Sequence, residues 1–204
     1  MDERQKQAVF LSWDGLEKKY DGREVLHGSF GSCLSGGRYA LVGESGSGKT
    51  TFLRLLSGLE TPDGGKILWQ EMPRISMVFQ EDRLCEAFTA EENIWLILRR
   101  GEVSTEAVRQ ALLEVLPSDC LGKPVGQLSG GQKRRVAIVR AMLAPGTNVL
   151  LLDEPFTGLD EETKIQVMAY VKRQQRGRLL LLATHDREEI AAMEVPEENV
   201  LCFS

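Results

Sequence analysis

The sequence has few of the residues that build metal or disulfide frameworks. Its four cysteines, Cys33, Cys85, Cys120 and Cys202, are scattered, and none forms a C-x-x-C pair. That spacing argues against a zinc site and a disulfide scaffold, and leaves thiols in a reducing compartment as the expectation. There are only two histidines, His27 and His185. His27 has no motif around it and receives no role. No long hydrophobic run is present: stretches such as residues 179–183 fall far short of a bilayer span. The charged start Met1-Asp2-Glu3-Arg4-Gln5-Lys6 leads into no apolar export-signal core. No basic run invites nucleic acid, and a net charge of −5 reads as ordinary solubility. These absences predict a cytoplasmic chain with no nucleic-acid partner and no direct membrane insertion.

What remains is ordinary for a globular protein. Hydrophobic residues make up 42% and charged residues 27% of the 204 positions, enough for one large domain or a core with a small insert.

The stretch Gly43-Glu44-Ser45-Gly46-Ser47-Gly48-Lys49-Thr50-Thr51 fits the phosphate-binding pattern G-x-x-x-x-G-K-[ST] at every fixed position. Glycines let successive backbone N–H groups turn inward on an anion. Lys49 brings a compact charge to the β- and γ-phosphates and Thr50 a hydroxyl to Mg²⁺. Residues 38–42 read as a buried strand entering the loop. Residues 50–57 read as a helix leaving it, with Gly58 as its stop. Strand, loop and helix N-terminus together make a phosphate site.

Elsewhere, residues 8–13 and 24–26 are short strand candidates flanking a turn at Tyr20-Asp21-Gly22-Arg23. Pro62-Asp63-Gly64-Gly65 is a turn before a strand over 66–69, and 75–79 is another strand ending at Gln80. The N-terminal region, about 1–40 with 60–75, is expected to form an antiparallel β-subdomain. Residues 81–127 look helical. Thr89 and Glu92 fit a capping box whose helix is expected to run to about Arg100 and stop at Gly101. A second helix follows Ser104, with a stripe of Ala107, Val108, Ala111, Leu112, Val115 and Leu116, and ends at Pro117. The remainder alternates strands and helices: a helix over 132–143, a continuous apolar strand over 149–152, and an amphipathic helix over 161–176. For this last helix Asp160 is the N-cap, Gly177 follows the end, and Ile165, Val167, Met168 and Val171 form the buried stripe. A buried strand over 179–184 and a strand candidate over 200–203 close the chain. This alternation predicts an α/β fold with a mostly parallel sheet.

Asp153 and Glu154 end one apolar strand and His185 ends another, at the sheet edge where open α/β sheets bind ligands. In Leu128-Ser129-Gly130-Gly131-Gln132, Ser129 and Gln132 satisfy the capping pattern S-x-x-Q. The two glycines between them weaken a helix, and make sense where an anion must approach its N-terminus closely.

Following a phosphate loop, Leu128-Ser129-Gly130-Gly131-Gln132 resembles the signature of the ATP-binding-cassette (ABC) ATPases. Tyr20 resembles the family's adenine-stacking aromatic and Gln80 its Q-loop glutamine. Val149-Leu150-Leu151-Leu152-Asp153-Glu154-Pro155 resembles the acidic strand, Gly158-Leu159-Asp160 the D-loop, and Thr184-His185-Asp186 the histidine switch. All occur in family order over nearly the whole chain. The resemblance implies a P-loop NTPase core of the ABC-ATPase type, with an N-terminal antiparallel β-subdomain and a short helical insert.

It also implies roles. ATP would lie against Tyr20 and residues 43–51, with Mg²⁺ held by Thr50 and supported by Asp153. Gln80 would sense Mg²⁺ or the attacking water. Glu154 would act as general base and His185 would meet the γ-phosphate. Ser129 and Gly131 would act in trans, facing ATP held by a second ATPase subunit in a head-to-tail homodimer, and Gly130, Gln132 and Asp160 of the D-loop would belong to the ATP-binding set. The implied protein is the ATP-hydrolysing subunit of an ABC transporter, peripheral on the cytoplasmic face of the membrane. Its separate transmembrane permease would dock between core and insert, with contacts at Glu81-Asp82-Arg83-Leu84. Phe79-Gln80-Glu81-Asp82-Arg83-Leu84 also resembles the ATPases of nitrate-, sulfonate- and taurine-type importers.

The pattern departs from the family in a short insert and in Gly37-Arg38, where Gly-Glu is usual. No C-terminal regulatory domain is expected after the strand candidate at 200–203. The alternatives are a soluble, non-transport ABC ATPase of cofactor assembly, translation or repair, and a non-catalytic ATP-sensing module. A single cassette without a coiled-coil insertion or basic surface disfavours the first, and the presence of Glu154 and His185 disfavours the second.

Overall fold

The computed structural model describes residues 9–99 and 101–203. Two strands, β1 (Val9–Tyr20) and β2 (Arg23–Leu34), form an antiparallel hairpin. Its two-residue turn, Asp21-Gly22, has positive φ at both positions (50° and 80°), the twist that matches flanking strands. β3 (Arg38–Val42) then leads into the phosphate loop and α1 (Lys49–Leu56). β4 (Gly64–Trp69) returns to the other side of β1, giving a three-stranded antiparallel sheet in the order β2-β1-β4.

The second sheet is built from β3, β5 (Ile75–Val78), β6 (Val149–Asp153), β7 (Leu179–Ala183) and β8 (Val200–Cys202). Its order is β5-β6-β7-β3-β8 and each neighbouring pair is parallel. Between the strands lie α2 (Ala90–Trp95), α3 (Thr105–Leu113), α4 (Gly130–Leu143), α5 (Glu161–Gln175) and α6 (Arg187–Ala192).

The apolar runs of β6 and β7 are buried throughout because both faces of the sheet are covered. Leu150, Leu152, Leu180 and Leu182 point into one core with Ile94, Val108, Val136 and Val167. Val149, Leu151, Leu179, Leu181 and Ala183 point into the other, with Trp13, Leu16 and Phe52. There the Trp13 ring meets Phe52 edge-on at 4.9 Å, so the antiparallel sheet is clamped onto the helix after the phosphate loop.

Several expectations need correction. The strand expected over 8–13 continues to Tyr20, with Ala8 outside the described residues, and the one expected over 24–26 spans Arg23–Leu34. Sheet pairing extends strands through polar positions that carry no strand signal of their own. The Thr89 capping box is present, but α2 stops at Trp95, well before Arg100, which lies outside the described residues. Beyond Trp95 the chain tightens through Ile97 N to Ile94 O (3.1 Å) and Leu98 N to Trp95 O (3.3 Å), and Leu96 is exposed. In α3 Ala107 is exposed, while Val108, Ala111 and Leu112 are buried. In α5 Ile165 is 64% exposed; the helix buries Val167, Met168, Tyr170 and Val171 instead.

Candidate functional site

The phosphate loop is shaped by what lies behind it. Gly48 caps α1 with φ of 94°, and a Cβ there would meet the Val25 carbonyl of β2 at 2.8 Å. Only glycine satisfies both conditions. Lys49 is buried, and its Nζ donates to the carbonyls of Gly43 and Glu44 at 2.8 Å each. The side chain is thereby folded back along the loop and holds its positive charge at the loop's centre.

The parallel sheet brings distant residues to this loop. Thr50 Oγ1 donates to Asp153 Oδ1 at 3.1 Å. Asp153 is buried at the end of β6; burial raises its pKa, and the Thr50 hydrogen bond opposes the shift. Glu154 follows with φ of 44°, its N–H bonded to the Ala183 carbonyl at 2.9 Å. A left-handed glutamate immediately before a proline is a costly conformation, of order 1–3 kcal/mol. It aims the Glu154 carboxylate back at the phosphate loop, 3.6 Å from His185 Nδ1.

A cavity of about 160 Å³ lies between these groups. Ser45, Gly46, Gly48, Lys49, Thr50 and Thr51 line it from the loop side, with Gln80 and Glu154 opposite and Val25 at one wall. Six of the nine loop residues read from the sequence thus share one space with Gln80 and Glu154, while Gly43, Glu44 and Ser47 do not line it; Asp153 joins through Thr50, and His185 stands beside Glu154. Val25 was missed, because only the pairing of β2 carries it to the loop.

The donor set suits a phosphate chain with Mg²⁺. The loop offers a buried ammonium, while Thr50 and Asp153 place a hydroxyl and a carboxylate oxygen together. Among the described residues there is no cluster of three or more His, Cys, Asp or Glu that could cage a metal alone. Mg²⁺ typically takes one or two protein oxygens and completes its shell with phosphates and water.

Other expected site residues lie elsewhere. Tyr20 sits at the β1–β2 turn, 40% exposed, with its hydroxyl donating to the Glu60 carboxylate and Lys18 Nζ at 5.4 Å from its ring centroid. Partial burial, then the Glu60 contact, raises its pKa. Ser129 caps α4: its Oγ accepts from Gln132 N at 3.3 Å and Gln132 Oε1 accepts from Ser129 N at 2.9 Å. A Cβ on Gly130 would meet open space, so this helix N-terminus is accessible. None of Ser129, Gly130, Gly131 and Gln132 lines the phosphate-loop cavity. Asp160 caps α5 through Thr163 N (2.9 Å), which lowers its pKa, and it too lies outside that cavity.

The family model described as ABC transporter matches residues 26–157. The chain is 40% identical over 187 residues to an aliphatic sulfonates import ATP-binding protein of Agrobacterium fabrum, covering 88% of this chain and 71% of that one. It is 38% identical over 198 residues to a spermidine/putrescine import ATP-binding protein of Hahella chejuensis, covering 90% and 54%. The fold matches the dimeric post-hydrolysis state of an ATP-binding cassette bound to ADP and Pi, with a TM-score of 0.81, 25% identity and coverage of 95% and 94%. The chain belongs to the ABC transporter family, and its fold is that of the family's ATP-binding cassette.

Proposed function

We propose that this chain is the ATP-hydrolysing subunit of an ABC importer. The observation that carries the reading is the convergence of Lys49, Thr50, Gln80 and Glu154 on one cavity, with Asp153 bonded to Thr50. Lys49 and the loop N–H groups hold the β- and γ-phosphates. Mg²⁺, held at Thr50 and Asp153 with Gln80 nearby, would neutralise developing charge on the phosphates. Glu154 takes the proton of the attacking water, and His185, beside it, orients the γ-phosphate. Tyr20 stacks on adenine.

The exposed N-terminus of α4 is absent from this cavity and open at Gly130. Ser129 and its neighbours, together with Asp160, are therefore assigned to ATP bound by a second copy, so that a dimer completes two sites. Catalysis by positioning and charge stabilisation then depends on the partner.

Among the described residues no helix is long and apolar enough to cross a membrane. The permease is a separate chain, and this subunit attaches to the cytoplasmic face of the membrane through it. A groove of about 810 Å³ opens between the core and the helical segment, lined by Met77, Phe79, Ile97 and Arg140 among others. Phe79, next to Gln80, carries Arg83 stacked on its ring at 3.6 Å. A permease helix seated here would press on Phe79, whose neighbour Gln80 lines the phosphate-loop cavity, linking substrate movement to the ATP site. Both relatives named above are import ATP-binding proteins, which favours transport over the soluble alternatives. The test is co-purification with a transmembrane permease subunit from the same cells and phosphate release that stops when Mg²⁺ is chelated. A chain that binds ATP but never releases phosphate, even with the permease, would be a sensing module.

A further inference from the structure

Arg134 is the one charged side chain of α4 that is almost wholly buried, at 4% exposure. It lies one turn beyond the cap Ser129, yet its guanidinium does not face the helix N-terminus. Nε donates to the Pro155 carbonyl at 3.0 Å, and Nη2 donates to the carbonyls of Asp153 (2.8 Å) and Glu154 (2.6 Å). Nη1 turns the other way, to the carbonyls of Phe79 and Gln80 (3.3 Å) and to Asp82 Oδ1 (3.3 Å). One rigid fork therefore grips the peptide that carries the left-handed Glu154 and the loop that carries Gln80.

We propose that Arg134 is a positioning residue for hydrolysis: it locks Glu154 and Gln80 in register with each other and with the helix that presents Ser129. This rests on reading Glu154 as the general base. Charge-assisted bonds from a planar donor set are short and directional, and they hold carbonyls that a strained turn would otherwise release. The fork spans α4, β6 and the loop after β5, so a shift of the α4 N-terminus on dimerisation reaches both catalytic groups through one side chain. Lysine keeps the charge but, as a single flexible ammonium, cannot serve both sides at once.

The test compares Arg134→Lys and Arg134→Gln with wild type and Glu154→Gln, using the full chain and measuring kcat, KM for ATP and thermal stability. The expected result is a kcat lower by about tenfold to a hundredfold with KM changed by less than about threefold, at temperatures where the variants are folded. Lysine should rescue melting temperature better than glutamine, without rescuing kcat. A kcat within about threefold of wild type, or a loss confined to KM, overturns the proposal. So does failure of both variants to fold, which would make Arg134 a folding residue only. If Glu154→Gln itself turns over normally, the reading of the base fails; if it is inactive while Arg134→Lys is normal, only the positioning role fails.

Discussion

Thr50 and Asp153 are hydrogen-bonded at 3.1 Å although 103 positions separate them. The bond exists because β3 and β6 run parallel on either side of β7, which places the loop after one beside the carboxylate ending the other. Thr50→Val keeps the shape and removes the donor. Leaving the buried carboxylate short of a partner is expected to cost about 1–3 kcal/mol of stability in the ligand-free protein. The same variant should bind Mg-ATP more weakly than wild type while losing less affinity for metal-free ATP. Thermal melts and nucleotide titrations with and without chelator check both.

Tyr20 offers an exposed ring at the hairpin turn. Tyr20→Ala is expected to weaken ATP binding by about 1–3 kcal/mol, roughly 5- to 150-fold. Tyr20→Phe keeps the π-face, loses only the Glu60 bond, and should retain the affinity. Titration with a fluorescent ATP analogue separates ring from hydroxyl.

Ser129 has two assignments that one pair of variants separates. Ser129→Ala removes the cap and should lower the melting temperature by about 2–4 °C, for a loss of about 1 kcal/mol. Ser129→Asp keeps a capping acceptor and so keeps stability. It also sets a negative charge where the partner's ATP would lie, and should abolish turnover. A folded, fully active Ser129→Asp would count against the in-trans role.

Glu189 of α6 is buried at 6% exposure and accepts from Thr184 Oγ1 at 2.6 Å, with Lys164 Nζ at 4.0 Å and Asp186 nearby. Burial raises its pKa, outweighing the Thr184 bond and the Lys164 charge. A carboxyl raised in the folded state favours folding while protonated, and that stability is lost as pH rises through the raised pKa. Glu189→Gln keeps an acceptor for Thr184 without the charge. It is expected to melt higher than wild type at neutral pH, with the gap closing as pH falls below the ordinary glutamate range. A gap independent of pH would contradict this.

The site was readable where its chemistry is local. The loop pattern, the strand-ending Asp153 and Glu154, and the caps at Thr89, Ser129 and Asp160 each depend on residues within a few positions, and the structure contains all three caps. Features set by distant packing were not readable. Val25 reaches the loop only because β2 pairs with β1, and the carbonyls gripped by Arg134 come from two separate segments. In α5, apolar residues at 165, 167, 168, 170 and 171 span more than one face. Contact with the neighbouring core selects Val167, Met168, Tyr170 and Val171 and leaves Ile165 outside. No glycine or proline marks Trp95, where α2 ends and the chain passes into tighter i→i−3 bonds at Ile97 and Leu98.

The most direct test is Glu154→Gln, assayed for ATP binding, phosphate release and oligomeric state on the same sample. The amide keeps the size of the side chain and cannot take the proton of water. The account predicts retained Mg-ATP binding, turnover reduced by at least about a hundredfold, and accumulation of an ATP-bound dimer. Wild-type turnover, or an ATP-bound variant that stays monomeric at micromolar protein, would contradict it.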